Sequence, residues 1–451
     1  MSPLEPCQIK QVTVFCMHVE SDRIAAYISD HYTMARTTLL QALKHLVETQ
    51  ADFVKVALPW AHPLEGPTIH IPDWFSQVAF EQPEISELNE LLFNQGNSIA
   101  SFGATFLLLS LISRALNGDP DQAIADLYDF IDRDCNRCIE VLLLEGIEVQ
   151  DTTEITEGIF LCPVAAVPSS TLQAYLKFVA ESKVQMPSSM THLLQEEKRN
   201  PGAALFQIRE VRPKFYAKMP ELRPLEGIPP IHDIANVLTI VGPTSPLTCK
   251  SFSELADGEF LKGFVGFSWG AAREETRVFS NIGLSTEALI DFVPVIRRYL
   301  ALSPEVKVRL QVPLHRLNEA VKHRNVIDRA LDLGIALEAL LLAHQPSKDQ
   351  LSLQFRLRGA WLLGESAERR AELFKKFGKL YDYRSFAAHS GAVAPAKVSP
   401  EEVAATLSEG LRLCAAAIRT IIDDGKFPDW NLLLLGATQP PGAGQLDGIL
   451  D

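Results

Sequence analysis

Two residues with the properties of catalytic groups lie five positions apart near the end of the chain, Arg384 and His389. A guanidinium stays charged and presents a planar fork of donors that fits a phosphate or a carboxylate. An imidazole can accept or donate a proton near neutral pH. The pair therefore combines an anion-binding group with an acid–base group.

The segment around these residues has the pattern of a long helix. Ser366 can cap it, Glu368 suits its positive end, and Gly391 offers a stop. Arg384 falls on a stripe of apolar residues that recur at three- and four-residue steps: Leu373, Phe377, Leu380 and Ala387. A guanidinium there requires a carboxylate, a phosphate or a subunit interface, whereas His389 falls in the last turn, where the helix favours a protonated ring.

A second helix offers carboxylates for Arg384. Residues 330–343 are apolar nearly all round, so we expect this segment to be the most buried helix of its region. Glu338 lies inside it and Asp332 precedes Glu338 by about one and a half turns. A pair between Arg384 and either Glu338 or Asp332 is one interpretation, and a role shared between the scaffold and a phosphate is the other.

The amino-acid sequences of these segments resemble those of a known family. Arg384, four residues and His389 match the Arg-x4-His motif of HEPN domains, and "KLYDYRSFAAHSG" is similar to the last motif of Apea-like HEPN proteins. "NVIDRALDLGIALEALLL" and "LSLQFRLRGAWLLGES" are similar to that family's earlier helices. The resemblance covers roughly residues 310–425. Gly391 fits the family's preference, whereas Ser385 stands where other HEPN ribonucleases have Asn, Asp or His.

The resemblance implies an endoribonuclease that needs no metal and acts as a homodimer. The RNA 2′-hydroxyl would be the nucleophile, and the site would supply a base, an acid and a cation for the phosphorane. Residues five apart on a helix are rotated by roughly 140°, so Arg384 and His389 of one copy do not converge, and a two-fold dimer would bring two of each into one cleft. Tyr381, Tyr383 and Ser385 could orient the phosphate or stack on a base. The products would be a 2′,3′-cyclic phosphate and a 5′-hydroxyl.

The same resemblance implies a biological setting. Apea-like proteins include abortive-infection and toxin-like proteins, so we expect a role in prokaryotic antiphage defence, with a sensor or antitoxin protein as a further partner. The alternative is a non-catalytic HEPN scaffold that dimerises and binds nucleic acid or protein. A purely structural bundle, in which Arg384 is salt-bridged, leaves His389 unexplained.

The charge distribution leaves room for RNA at one place. The net charge is −14, but residues 301–451 carry 19 Lys and Arg against 18 Asp and Glu. Basic residues upstream of the motif could form a local RNA-binding surface. Solvated helix faces are the alternative interpretation. The predicted RNA-binding residues are Arg369, Arg370, Lys375, Lys376 and Lys379.

The chain divides into a mixed region and a helical one. Residues 1–284 are predicted to be α+β. Residues 1–150 are predicted to be mostly helical, with helices at 21–49, 97–117 and 121–145. Residues 151–284 are predicted to carry a small sheet, because they contain short β-prone runs such as "NVLTIVGP". Residues 285–435 are predicted to form an all-α bundle with helices near 315–344, 348–363, 366–390 and 399–424. Residues 436–451 read as a flexible tail.

Other site classes find little support. The sequence has no Gly-x4-Gly-Lys-Ser/Thr loop and no Gly-x-Gly-x-x-Gly motif, so nothing supports ATP or dinucleotide binding. Cys135 and Cys138 have the spacing of zinc ligands, but they lie on a predicted helix and no second pair of ligands follows. No cofactor and no metal are predicted. The cysteines form no disulfide framework, and no signal peptide or membrane-spanning run is present, so we expect a cytoplasmic protein without a membrane partner.

Overall fold

The structure is a computed structural model, and it describes residues 39–50, 71–96, 98–181, 201–220, 230–265, 268–271, 281–323, 325–342 and 350–435. Its first half contains the sheets together with several helices, and its C-terminal half is helical. The predicted tail at 436–451 lies outside the described residues, as does most of the predicted helix at 21–49.

The first part is a helical layer with a small sheet. Its helices are α1 (Leu39–Gln50), α2 (Asp73–Phe80), α3 (Pro83–Ser86), α4 (Thr105–Asn117) and α5 (Pro120–Asp132). Strands β1 (Leu92–Asn94) and β2 (Ile99–Ser101) pair in antiparallel fashion, and β8 (Phe215–Tyr216) completes the sheet. Aromatic side chains from these strands and helices, including Phe93, Phe130 and Phe215, share one apolar core.

A six-stranded antiparallel sheet forms the centre of the molecule, in the order β10-β9-β3-β7-β6-β5. Its strands are β3 (Asn136–Glu145), β5 (Thr153–Thr156), β6 (Ile159–Cys162), β7 (Ala203–Val211), β9 (Leu247–Leu255) and β10 (Ser268–Ala271). Both faces of β3 are covered, because Leu142 and Leu144 join one core while Ile139 and Val141 join another. Double burial explains the continuous apolar run of this strand. Helix α6 (Ser170–Glu181) contributes Leu172 to the second core.

The chain leaves the sheet region through a short parallel ladder. Strand β11 (Ile282–Leu284) pairs with β4 (Ile147–Val149), and helix α8 (Thr286–Leu300) begins two residues later with Ser285 as its cap. The secondary structure therefore changes near residue 285. Helix α7 (Pro230–Val237) precedes this change and is followed by a 3₁₀ turn at Leu238–Ile240.

The helical half consists of long, well-capped elements. After α8 come α9 (Pro304–Lys322), α10 (Val326–Leu341), α11 (Leu351–Leu363), α12 (Ala367–Ser390), α13 (Pro400–Asp424) and α14 (Trp430–Leu434). Ser399 caps α13 with Pro400 at its first position, as predicted, and Gly425 ends it at φ 69°. Helix α10 is deeply buried, also as predicted, since Leu333, Leu337 and Leu340 are at most 1% exposed. None of the described helices has the length and apolar character to cross a bilayer.

One apolar core crosses the change at residue 285. It contains Leu144 and Ile147 from the sheet side, and Ile296, Leu337 and Ile418 from the helical side. Side chains of the two regions are therefore packed together, although their secondary structures differ.

Four sequence predictions of local structure were wrong. The helix predicted at 97–117 begins only at Thr105, because Ile99–Ser101 forms strand β2. Residues 121–145 are not one helix: α5 ends at Asp132 and β3 starts at Asn136, so Cys135 and Cys138 lie at a strand and not on a helix. The β-prone run "NVLTIVGP" is the end of α7 and a 3₁₀ turn, since burial of its branched side chains outweighs their strand preference. The helix at 315–344 is two helices, because α9 ends at Lys322 and Asn325 caps α10.

Candidate functional site

Helix α12 carries both candidate catalytic residues, and its two ends match the sequence signals. The Ser366 hydroxyl accepts a hydrogen bond from the Arg369 backbone N–H at 3.1 Å, and Gly391 stops the helix at φ 66°. The helix runs uninterrupted for 24 residues. Arg384 and His389 therefore have a fixed orientation relative to each other, on different sides of one rod.

Arg384 lies across the neighbouring helix α10 at a glycine. A methyl group built on Gly334 would stand 2.1 Å from Cγ and 2.7 Å from Cβ of Arg384. Both distances are far shorter than van der Waals contact. Gly334 thus opens the space through which the stem of Arg384 passes along the α10–α12 contact.

The guanidinium of Arg384 binds one carboxylate. Its Nη2 donates to Oε2 of Glu338 at 2.9 Å, and the two side chains are 31% and 25% exposed. Glu338 is the only polar partner of the Arg384 side chain among the described residues. The Nε atom of Arg384 is buried and has no hydrogen-bond partner. The pair leaves most donors of the fork unused, because a guanidinium carries five N–H groups.

Glu338 is not a fully stabilised carboxylate. Burial raises the pKa of Glu338 above its ordinary value, although the charge and the hydrogen bond of Arg384 act to lower it. The cost of removing this carboxylate from water therefore exceeds the gain from its partner.

Asp332, the other predicted partner, belongs to a different cluster. Its two oxygens bind Nη1 of Arg316 at 2.7 Å and Nε2 of His323 at 3.0 Å. This carboxylate joins α9, its C-terminal histidine and α10. Asp332 is therefore placed away from the polar contacts of Arg384 and holds two helices together.

His389 is exposed in the last turn of α12 and makes no hydrogen bond to another described residue. Counting 100° per residue, it lies nearly opposite the buried stripe of Leu373 and Phe377. One chain therefore does not direct Arg384 and His389 to a common point. The two-copy site that the sequence suggested stays a prediction.

The three supporting residues of the motif have different environments. Tyr381 is half-buried and packs on the ring of Phe355, with centroids 5.4 Å apart. Tyr383 is buried, and its hydroxyl has no hydrogen-bond partner. Ser385 is half-buried. Tyr381 is thus a packing residue, whereas Tyr383 and Arg384 each carry a buried polar atom, the hydroxyl and Nε, that has no hydrogen-bond partner.

The predicted RNA-binding residues are largely paired within the chain. Arg369 and Lys376 both bind Glu372, Lys376 also binds Glu409, and Lys379 binds Glu402. Arg370 donates to the carbonyl of Gly364 and stacks over Trp361 at 3.7 Å. Lys375 is exposed and has no ion-pair partner among the described residues. These contacts agree with solvated helix faces, and RNA binding by the five residues stays a prediction.

Gly334 is the site residue that sequence reasoning missed. A glycine inside an Ala- and Leu-rich helix costs about 1 kcal/mol relative to alanine. A glycine at such a position therefore indicates that another segment of the chain approaches the helix closely there.

The comparisons with known proteins add no relatives: no family model, curated protein or solved structure matches this chain. The resemblance to HEPN domains consequently rests on the motifs themselves. Within the described residues, no group of three or more His, Cys, Asp or Glu side chains is arranged to hold a metal ion.

Proposed function

We propose that this protein is a metal-independent endoribonuclease of HEPN type, whose active site combines Arg384 and His389 from two copies of the chain. The observation that carries the proposal is the state of Arg384. Its stem is seated against Gly334, its fork has one hydrogen bond, and that bond goes to a carboxylate whose own pKa is raised. Such a guanidinium is oriented and has donors to spare for a phosphate.

The chemistry follows from what RNA and these side chains provide. The 2′-hydroxyl of RNA attacks the adjacent phosphorus once a base takes its proton, and the 5′-oxygen leaves once an acid protonates it. His389 is exposed and can serve as base or acid near neutral pH. Arg384 would hold the non-bridging oxygens of the phosphorane, where negative charge accumulates. The products would be a 2′,3′-cyclic phosphate and a 5′-hydroxyl.

A dimer is required because one helix cannot direct both residues to one phosphate. The exposed surface of α12 around His389 and Phe386, which is 36% exposed, would face the partner copy. A two-fold dimer would bring two arginines and two histidines into one cleft. Antiphage defence or a toxin-like role, with a sensor or antitoxin protein as partner, is proposed on the family resemblance.

A non-catalytic scaffold is the second candidate, and the Arg384–Glu338 contact is the observation that favours it. In that function the pair would simply fasten α12 to α10. Dimerisation and nucleic-acid or protein binding would remain, and no histidine would be needed.

The test compares His389→Ala with His315→Ala, another exposed helical histidine that lies on α9. Cleavage of a fluorescent single-stranded RNA is measured in EDTA, with end-group analysis of the products. We expect cleavage by wild type and His315→Ala, and a loss of about 10² to 10⁴ in rate for His389→Ala. Equal cleavage rates in both variants would contradict a catalytic His389, and cleavage abolished by EDTA would contradict a metal-independent nuclease. Absence of cleavage by the folded wild-type protein would leave the scaffold. Light scattering that shows an active monomer would contradict the two-copy site.

A further inference from the structure

A cavity of about 640 Å³ lies between the turn at residues 240–243 and the helical half of the chain. Its walls come from the turn after the 3₁₀ segment at Leu238–Ile240, from α8, from the junction of α11 and α12, and from α13. Buried apolar side chains form its floor: Ile240, Phe292, Leu363, Leu413. This volume and this apolar floor are typical of sites for small organic molecules.

Three arginines border the cavity, Arg369 from α12 and Arg412 and Arg419 from α13. Arg369 uses Nη1 for Glu372, and Arg412 uses Nε and Nη2 for one oxygen of Glu409. Arg369 and Arg412 each retain unused N–H donors, because a guanidinium carries five N–H groups and only one or two of them are used here.

Arg419 differs from the other two, since it makes no hydrogen bond to any described residue. Its nearest acid is Asp423, at 3.7 Å from Nε, and the Oδ1 atom of Asp423 is bound by Arg298 at 2.8 and 2.9 Å. The Arg419 side chain is only 25% exposed. Arg419 therefore has a partly buried guanidinium with one long ion pair, and its donors are available to an acceptor bound in the cavity.

Two carboxylates also line the cavity, Asp291 and Glu365, and both are exposed. The lining is therefore not a simple basic patch. It offers donors on the α12 and α13 side and acceptors at Asp291 and Glu365. A fitting ligand carries an anionic group, an apolar body and hydroxyl or amino donors.

We propose that this cavity binds a small organic phosphate. A phosphate has three terminal oxygens for guanidinium forks from two helices, whereas a carboxylate has two. The organic body would lie on Phe292 and Leu413, and its hydroxyl groups would reach Asp291 or Glu365. Because the chain lacks a glycine-rich phosphate loop, the arginines would replace the backbone amides that such a loop provides. The proposal does not depend on nuclease activity.

Isothermal titration of the full chain tests the site with AMP, ADP, ATP, inorganic phosphate and succinate as probes, at about 0.15 M salt. Two variants remove donors from separate walls, Arg419→Met and Arg369→Met. Arg212→Met is the control, because it removes one positive charge from the sheet region, where Arg212 pairs with Asp134 and Glu210 away from the cavity. Thermal melting of all variants verifies that each is folded.

We expect at least one of the three nucleotides to bind more tightly than phosphate or succinate. Arg419→Met and Arg369→Met should each weaken that binding at least tenfold, and Arg212→Met should not change it. No binding of any nucleotide at millimolar concentration would overturn the proposal. Equal affinity for succinate would refute the phosphate class, and equal affinity for inorganic phosphate would refute the role of the apolar floor. An affinity that survives both cavity variants would place the ligand elsewhere.

Discussion

Gly334→Ala is the substitution that tests most directly how Arg384 is positioned. The added methyl group would stand 2.1 Å from Cγ of Arg384, so either the arginine stem or the α10–α12 contact must move. Overpacking of this kind costs about 1–3 kcal/mol. Replacing a helical glycine by alanine returns up to about 1 kcal/mol. We therefore expect a net loss of about 1 kcal/mol in the free energy of unfolding.

Gly378→Ala on α12 is a matched control. The three atoms nearest to its methyl group would all belong to the guanidinium of Arg356, at 3.1 to 3.5 Å, and this flexible end can move. The alanine should gain most of its helical preference, up to about 1 kcal/mol. The two variants should therefore differ by about 2 kcal/mol in urea denaturation followed by tryptophan fluorescence.

The nuclease assay gives the second measurement. A displacement of about 1 Å at a catalytic group can lower a rate by about 10². Gly334→Ala should therefore lose cleavage while the protein stays folded, and Gly378→Ala should keep it. If both variants are equally stable, the stem of Arg384 does not lie over residue 334, and the positioning argument fails.

Three further predictions concern ionisable groups. Lys214 is buried among aromatic rings, and burial lowers its pKa to about 8. The unfolded chain therefore binds more protons between about pH 8 and 10.5, so the free energy of unfolding should rise across that range by on the order of 3 kcal/mol. Denaturation of Lys214→Met at several pH values should lack this rise. The raised pKa of Glu338 means that the folded chain holds its proton more tightly, so stability should fall as pH rises through that pKa; a Glu338→Gln profile parallel to wild type at acidic pH would contradict this. Asp332→Ala breaks the contact between α9 and α10, and should lower the free energy of unfolding by about 1–3 kcal/mol in urea titrations; an unchanged midpoint would contradict the clamp.

The helix boundaries around the motif could be predicted because capping is local chemistry. Ser366, Gly391 and Ser399 act through hydrogen bonds or backbone angles within a few residues, so the sequence alone contains the information. The Arg384–Glu338 contact was one of two predicted pairings, since a cation on a buried stripe needs an anion on the facing helix.

Features that depend on tertiary packing could not be predicted. The run Val141–Leu144 within β3 is continuously apolar because both faces of the strand are covered, and periodicity cannot separate such a strand from a buried helix. Asp332 pairs with Arg316 and His323 because α9 and α10 are separate helices, which the prediction had merged. The approach of Arg384 to Gly334 requires the spacing of two helices, which no single segment specifies.

The apolar core that crosses residue 285 has a consequence for cooperativity. A helical fragment beginning at residue 285 would lack Leu144, Ile147 and the other members of this core that the sheet side supplies. Such a fragment would tend to associate with itself, and its oligomeric state would say little about the intact chain. In native-state hydrogen exchange, amides of β3 and α10 should open together in one large unfolding event, because neither layer retains a closed core without the other.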